Sequence, residues 1–339
     1  MNVTIRDVAK AAGVSVGTVS RAFNGYQDIN SDTKQRVFDS AKELGYAPNV
    51  NARSLSAKKS PNIGMIVSGF LETNKKDNFI SVLLQGVYRY SFEKKLEVAL
   101  YTTDSRNQNK KTYTRFCVEH SIFGAILCGI TTRDAYFNEL VNSGMPCVLI
   151  DVHIKGKGLG CVSINNYEAA SELAQYLIDS NHKKIVIISG KKNADVTTDR
   201  IAGIHDTFLK NGIELTGHQI IYCDFSEEIA YTKAKEYLVK HGKKEATAFL
   251  CLSDLMALGV MKAIRELKYS IPEDFSLVGF DGIPITEYTT PGLTTIQQDM
   301  DEIGYQAGAL LEELMNNRDA SKDIYVPYKF VKRDSVKVI

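Results

Sequence analysis

A short run near the amino end sets out side chains suited to gripping a polyanion, with no reaction among them. In TIRDVAKAAGVSVGTVSRAFN, residues 4–24, Val16, Gly17, Ser20 and Arg21 fall on one side of a helical repeat, while Val19 and Phe23, four apart, fall on the other. A guanidinium, a hydroxyl and an apolar side chain on one exposed face are groups that phosphate oxygens and base edges can engage. Farther along, Asp104 after ALYTT and Asp151 closing PCVLID stand at the ends of strand-like runs. A carboxylate there can meet a ligand or cap the next helix. There is no nucleophile elbow, no P-loop and no GxGxxG after the first strand, so an enzyme is not expected. A paired-carboxylate hydrolase or a stand-alone sugar-binding protein is the alternative that the core alone would permit. The six cysteines (Cys117, Cys128, Cys147, Cys161, Cys223, Cys251) are scattered without a CxxC pair, and they read as small buried hydrophobes. No metal and no cofactor is expected.

The elements that position these groups follow from caps and apolar spacing. Thr4 with Asp7 three residues on makes a capping-box-like start, Ile5, Val8 and Ala9 mark one apolar face, and Ala12-Gly13 stops the helix. Ser15 can cap a second helix. Two short helices joined by a tight glycine turn form the unit that seats a helix in the DNA major groove. A third helix is predicted from Ser31 to about Leu44, with Val37, Ala41 and Leu44 on one face and Gly45 past its end. The segment APNVNARSL, from Ala47 to Leu55, then has a proline suited to a first turn and only one or two turns of helical pattern. A helix so short is marginal alone in water, so a hinge that folds only with DNA and a second subunit is expected.

Charge separates the head from the body. Residues 1–59 carry nine Lys/Arg against five Asp/Glu, which leaves 32 against 35 for the remainder. A basic head on a faintly acidic body is the asymmetry expected when only the head meets phosphates. From Asn62 the texture changes to continuous apolar runs alternating with amphipathic helices: IGMIVSG, EVALYTT, FGAILCGI and PCVLID, then CVSIN, KIVIISG, IIYCD, TAFLCLS and FSLVGFD. Such runs are buried on both faces by helices in a doubly wound parallel sheet. The expected fold is a small all-α helix-turn-helix headpiece plus a two-lobed α/β core. The boundaries are 1–47 for the headpiece, 48–60 for the hinge, 61–161 with 291–320 for the first lobe, and 162–290 with 321–339 for the second. Ligands in such sheets sit beyond the carboxyl ends of the strands. The amino end, MNVTIRDVAK, has no apolar core of a signal peptide, and no run of eighteen apolar residues occurs, so a cytoplasmic protein without membrane contact is expected.

TIRDVAKAAGVSVGTVSRAFNG, the APNVNARSL hinge, RIAG, SDLMALGVMKAI, LVGFDG and TTIQQD together resemble the lactose-repressor (LacI/GalR) family of bacterial transcription regulators, over nearly the whole chain and in order. The resemblance implies a periplasmic-binding-protein-like core and a homodimer on a palindromic, double-stranded DNA operator. It implies DNA contacts by Thr4, Ser15, Val16, Gly17, Thr18, Ser20, Arg21 and Asn24 in the headpiece and by Asn49, Ala52, Arg53 and Leu55 in the hinge. Leu55 matches the leucine that family members wedge into the minor groove to kink the duplex. Many relatives carry larger polar side chains where this chain has Val16 and Gly17; a valine can pack on a thymine methyl, whereas simple absence of contact is expected of Gly17.

For the effector, the resemblance implies Arg200 in DRIAG and Asp281 closing LVGFD as the paired anchors of a sugar or glycoside, with Phe79, Asp104, Asp151, Phe225 and Ser253 around them. A global catabolite regulator that takes a phosphorylated carrier protein as corepressor is the alternative within regulation. The final VKRDSVKVI holds no leucine heptad that could pair dimers, and the helices at 79–95 and 255–267 are the expected dimer surfaces.

Overall fold

The computed structural model describes residues 4–23, 26, 29–44, 62–69, 79–215 and 219–339. It has two compact units, Met1–Pro61 and Asn62–Ile339. In the first, α1 (Ile5–Ala12), α2 (Val16–Phe23) and α3 (Ser31–Glu43) enclose Val8, Ala9, Ala12, Val19, Ala22, Val37 and Ala41. The Asp7 carboxylate accepts hydrogen bonds from the Thr4 N–H (2.8 Å) and the Thr4 hydroxyl (2.6 Å), fixing the start of α1. Gly13 ends it at φ 67°, where a side chain would be strained. The Thr18 N–H then donates to Ser15 Oγ at 3.1 Å and starts α2. Leu44 departs from expectation: α3 stops at Glu43, so Leu44 leaves the buried stripe and is exposed.

The second unit contains two six-stranded sheets. Strands β1 (Ile63–Ser68), β2 (Val98–Thr103), β3 (Gly124–Cys128), β4 (Cys147–Ile150), β5 (Leu159–Ser163) and β11 (Ser321–Tyr325) form the first, in the order β11-β5-β4-β3-β1-β2, all parallel. Strands β6 (Ile185–Ser189), β7 (Ile220–Tyr222), β8 (Ala248–Cys251), β9 (Ser276–Asp281), β10 (Thr294–Gln298) and β12 (Tyr328–Val331) form the second. Their order is β12-β10-β9-β8-β6-β7, with only β12 antiparallel to its neighbour. The helices are α4 (Phe79–Lys94), α5 (Ser105–Lys110), α6 (Tyr113–Glu119), α7 (Ala135–Ser143), α8 (Asn166–Asp179), α9 (Asp195–Lys210), α10 (Glu227–His241), α11 (Asp254–Glu266) and α12 (Met300–Asn316). Strands β3, β4, β5, β6 and β8 are buried along their whole length, as helices on both faces require.

The tail is shared between the sheets differently from the expected lobe boundaries. TTIQQ, expected with the first lobe, is β10, paired with β9 from Thr294↔Val278 to Gln297↔Asp281. Residues 321–325, expected with the second lobe, are β11, paired with β5 of the first sheet. CVSIN, expected to open the second lobe, contributes the last three residues of β5, so the first sheet runs on past Cys161. The reason is physical: a run of sequence does not show which strand it will pair with, and β10 joins the nearby β9 (Thr294↔Val278) whereas β11 crosses to the distant β5 (Ser321↔Leu159). The chain thus passes between the sheets at 163–166, 298–300 and 325–328, and α12 returns to pack on β3, β4, β5 and α4.

Candidate functional site

The outer face of α2 is the first candidate. Val16 is 42% exposed, Gly17 and Arg21 are exposed, and Ser20 is half-buried, while Val19 and Ala22 of the same helix are buried. The Ser15 and Thr18 hydroxyls lie 2.9 Å apart and bond each other. Thr4 is spent on the α1 cap. A side chain would fit at Gly17, because an added Cβ meets only Ser15 Oγ at 3.6 Å. Phe23 and Phe38 brace α2 on α3 edge to face at 5.2 Å. This is a rigid helix with a short, apolar-and-cationic outer surface, able to enter a groove about 12 Å wide. Asn24 and the hinge residues Asn49, Ala52, Arg53 and Leu55 lie outside the described residues.

The second candidate lies at the carboxyl ends of the strands, where Arg200 is the organising group. It comes from the second turn of α9, just after β6, and is 3% exposed. Its Nε donates to Asn166 Oδ1 (2.8 Å), its Nη1 donates to the Leu252 carbonyl (2.7 Å), and its guanidinium lies 3.6 Å over the Phe280 ring. Asp281 Oδ1 stands 3.7 Å from Nη1, an ion pair beyond hydrogen-bond distance. Asp281 is the member of the pair that reaches solvent, with 21% of its side chain exposed. Gln298 Nε2 holds it at 2.9 Å. Burial pulls the Arg200 pKa down, opposed by Asp281, Asp151, Asp254 and Asp199.

Asp151 joins the same cluster through a relay. Ser163 Oγ donates to Asp151 Oδ1 at 2.6 Å, and Asn166 Nδ2 donates to Ser163 Oγ at 3.0 Å. Burial raises the Asp151 pKa, while Ser163 and then Arg200 pull it back. The relay spans the first crossing between the sheets. Asp254, fully buried at the start of α11, accepts from the Gly282 N–H (2.7 Å), the Ile283 N–H (2.9 Å) and Thr295 Oγ1 (2.7 Å), and so fixes the turn just after Asp281. Desolvation pushes its pKa up to about 7.

Four non-glycine residues at these strand ends have left-handed backbone. Asp151, Asp224, Phe225 and Asp281 all have positive φ, from 53° to 109°, in a region side chains rarely adopt. Phe225 lays its ring on Gly190, the residue after β6: a Cβ there would come within 2.0 Å of Phe225 Cζ.

The structure therefore gathers Arg200, Asp281 and Asp151, and adds Asn166, Gln298, Asp254 and Phe280, which sequence reasoning had not named. Gln298 lay inside the TTIQQD motif, and Phe280 was one residue from Asp281. Two expected ligand groups are employed otherwise. Ser253 is 3% exposed and accepts from the Met256 N–H (3.2 Å), capping α11; Asp104 accepts from the Asn107 N–H (2.8 Å), capping α5. Phe79 is half-buried at the start of α4 and packs on the core.

Residues 4–49 match the family model described as bacterial regulatory proteins, lacI family, and residues 174–336 match a periplasmic binding protein-like domain. The chain is 30% identical over 338 residues to the HTH-type transcriptional repressor PurR of Vibrio vulnificus, across 99% of both chains. It is 29% identical to the HTH-type transcriptional repressor PurR of Mannheimia succiniciproducens, again across 99% of both. Among solved structures it is similar to the Lac repressor dimer bound to operator and the anti-inducer ONPF, with a TM-score of 0.82 at 25% identity over 99% of this chain and all of that one.

Proposed function

Because the chain belongs to the lacI family of bacterial regulatory proteins, we propose that a sugar or glycoside held at Arg200 and Asp281 sets how tightly a homodimer grips a palindromic operator. The protein is a DNA-binding transcriptional repressor under small-molecule control. What the proposal adds is the chemical class of the effector, the residues that hold it, the dimer and a cytoplasmic place of action. The observation that carries it is the Arg200–Asp281 pair: a multi-donor cation fixed by Asn166, Leu252 and Phe280 beside a carboxylate that reaches solvent. Vicinal hydroxyls suit such a pair, since one can accept from the guanidinium while the next donates to the carboxylate. Phe225, on Gly190 at a neighbouring strand end, supplies an apolar ring of the kind that covers a sugar face.

Regulation then works as a population shift. The relay Asp151–Ser163–Asn166–Arg200 runs through one of the places where the chain passes between the sheets, so an effector that draws on Arg200 and Asp281 biases how the lobes are set. Val16, Ser20 and Arg21 on the face of α2 read the operator, and the hinge at 48–60 closes on it.

Calorimetric titration of the full-length protein against sugars, glycosides and nucleobases tests this reading. Saturable binding of a sugar that also changes operator affinity in a gel shift is expected. Binding by nucleobases alone would overturn the sugar class.

A further inference from the structure

A second cluster of chemistry-bearing side chains lies apart from the Arg200 site. His153 follows β4, Cys161 is the middle residue of β5, and Asp323 is the middle residue of β11. β11 lies beside β5 with Asp323 in register with Cys161, so the two side chains are neighbours on one face, about 4.8 Å apart in the strand-to-strand direction. His153 completes the group: its Nδ1 is 3.1 Å from Asp323 Oδ2, and one ligand atom of each of the three residues lies within 4.8 Å of the others. We propose that His153, Cys161 and Asp323 form a binding site for a divalent transition-metal ion of the zinc class.

Imidazole, thiolate and carboxylate are the three ligand types that zinc takes, at about 2.0–2.3 Å, which puts ligand atoms roughly 3.3–3.7 Å from one another around a tetrahedral ion. The observed spread closes to that spacing with side-chain rotations of less than about 1 Å per ligand atom. The sulfur forms the floor, because Cys161 is fully buried, whereas the His153 and Asp323 side chains are each 36% exposed and leave a way in. Burial, and then the Asp151 and Asp323 carboxylates, push the Cys161 thiol well above its ordinary range, so the sulfur stays protonated until a cation takes the proton's place. Metal entry exchanges the thiol proton for a metal–sulfur bond and releases that proton to solvent.

The fourth position faces the other sheet. Asp195, first residue of α9, lies near His153, which pulls its carboxyl pKa down against the rise that burial causes. The three protein ligands leave the last tetrahedral position to water. No CxxC spacing announces the site, since its members are brought together by two strand pairings.

The test is cobalt titration of the chelator-stripped full-length protein, followed by competition with zinc. One Co²⁺ per chain with a thiolate-to-cobalt charge-transfer band, displaced by one equivalent of Zn²⁺, is expected. His153→Ala and Asp323→Ala, both at partly exposed positions, should weaken uptake by roughly tenfold or more with unchanged circular dichroism. Cys161→Ser should abolish the band. Absence of saturable uptake, uptake without a sulfur band, or uptake undiminished in His153→Ala would each overturn the proposal. None of these readouts depends on which effector the Arg200 site takes.

Discussion

Arg200 is buried and held by its neighbours, which decides how it can be probed. Its guanidinium is the cation shared by Asp281, Asp151, Asp254 and Asp199, and removing one partner of a buried charge cluster costs about 3–5 kcal/mol. Arg200→Ala therefore confounds ligand binding with folding. Asp281→Asn is the cleaner probe, because the amide keeps an oxygen for Gln298 and the position is partly exposed. It is expected to lower effector affinity roughly tenfold or more, the worth of one charge-assisted hydrogen bond, and to lower the melting temperature less than Arg200→Ala does, since three other carboxylates still face the guanidinium; unchanged affinity by calorimetry would remove Asp281 from the site. At the other end of the chain, Gly17→Ala is expected to stabilise the headpiece by about 0.5–1 kcal/mol, since a glycine inside a helix is entropically costly and the Cβ meets only Ser15 Oγ. Operator affinity should hold, and a marked loss in a gel shift would mean that the backbone at Gly17 approaches DNA closely. The strand-end carboxylates were legible because an apolar run closing on Asp is a local signal. Asn166 and Gln298 were not, because an amide acquires a role only through partners that folding supplies.

Helices and strands were largely legible as elements, but the way they pack was not. Three helix pairs are joined through glycines that let backbones touch. A Cβ at Gly86 of α4 would fall 1.9 Å from the Asp301 carbonyl oxygen of α12, and one at Gly304 would fall 2.1 Å from that of Leu83. Gly203 of α9 meets the Tyr167 carbonyl in the same way, and Gly259 of α11 that of Glu227. Two effects compete at such a position. Replacing a helical glycine by alanine gains about 1 kcal/mol of helix propensity, but forcing a methyl into a filled contact costs about 1–3 kcal/mol or more. The contact atom is backbone and cannot swing away, so the steric cost wins. Gly304→Ala is accordingly expected to lower the urea midpoint, and a variant at least as stable as the parent would show that the two helices can part freely. The helical repeat places these glycines on a helix without telling which partner they meet. The same blindness to pairing put residues 294–298 in the wrong lobe, and it left the strand at 321–325 unread, since only a last strand near Tyr325 to Val331 was expected there.

At the scale of the whole molecule, the question is why a chain with an ordinary core leaves a large apolar surface on α4. Phe92 is 86% exposed and Tyr88 46% exposed, and with Leu84 they line one groove of that helix beside Arg89 and Glu93. The second expected dimer surface, the helix at 255–267, is instead mostly buried within its own lobe. An exposed apolar patch of this kind marks an interaction surface, and a second copy of the chain fits the proposed palindromic operator. Phe92→Glu should then leave the circular dichroism of the folded chain unchanged, while bringing the mass measured by light scattering down to that of one chain and removing the stabilisation that the partner subunit supplies. Operator affinity should fall with it. The reason is effective concentration: once one headpiece has docked, a tethered partner meets the second half-site at millimolar levels, an advantage of about 10²–10⁴ that a lone headpiece lacks. Retention of the dimer mass in Phe92→Glu would place the interface elsewhere, and single-chain mass in the unaltered protein would remove the dimer from the proposal.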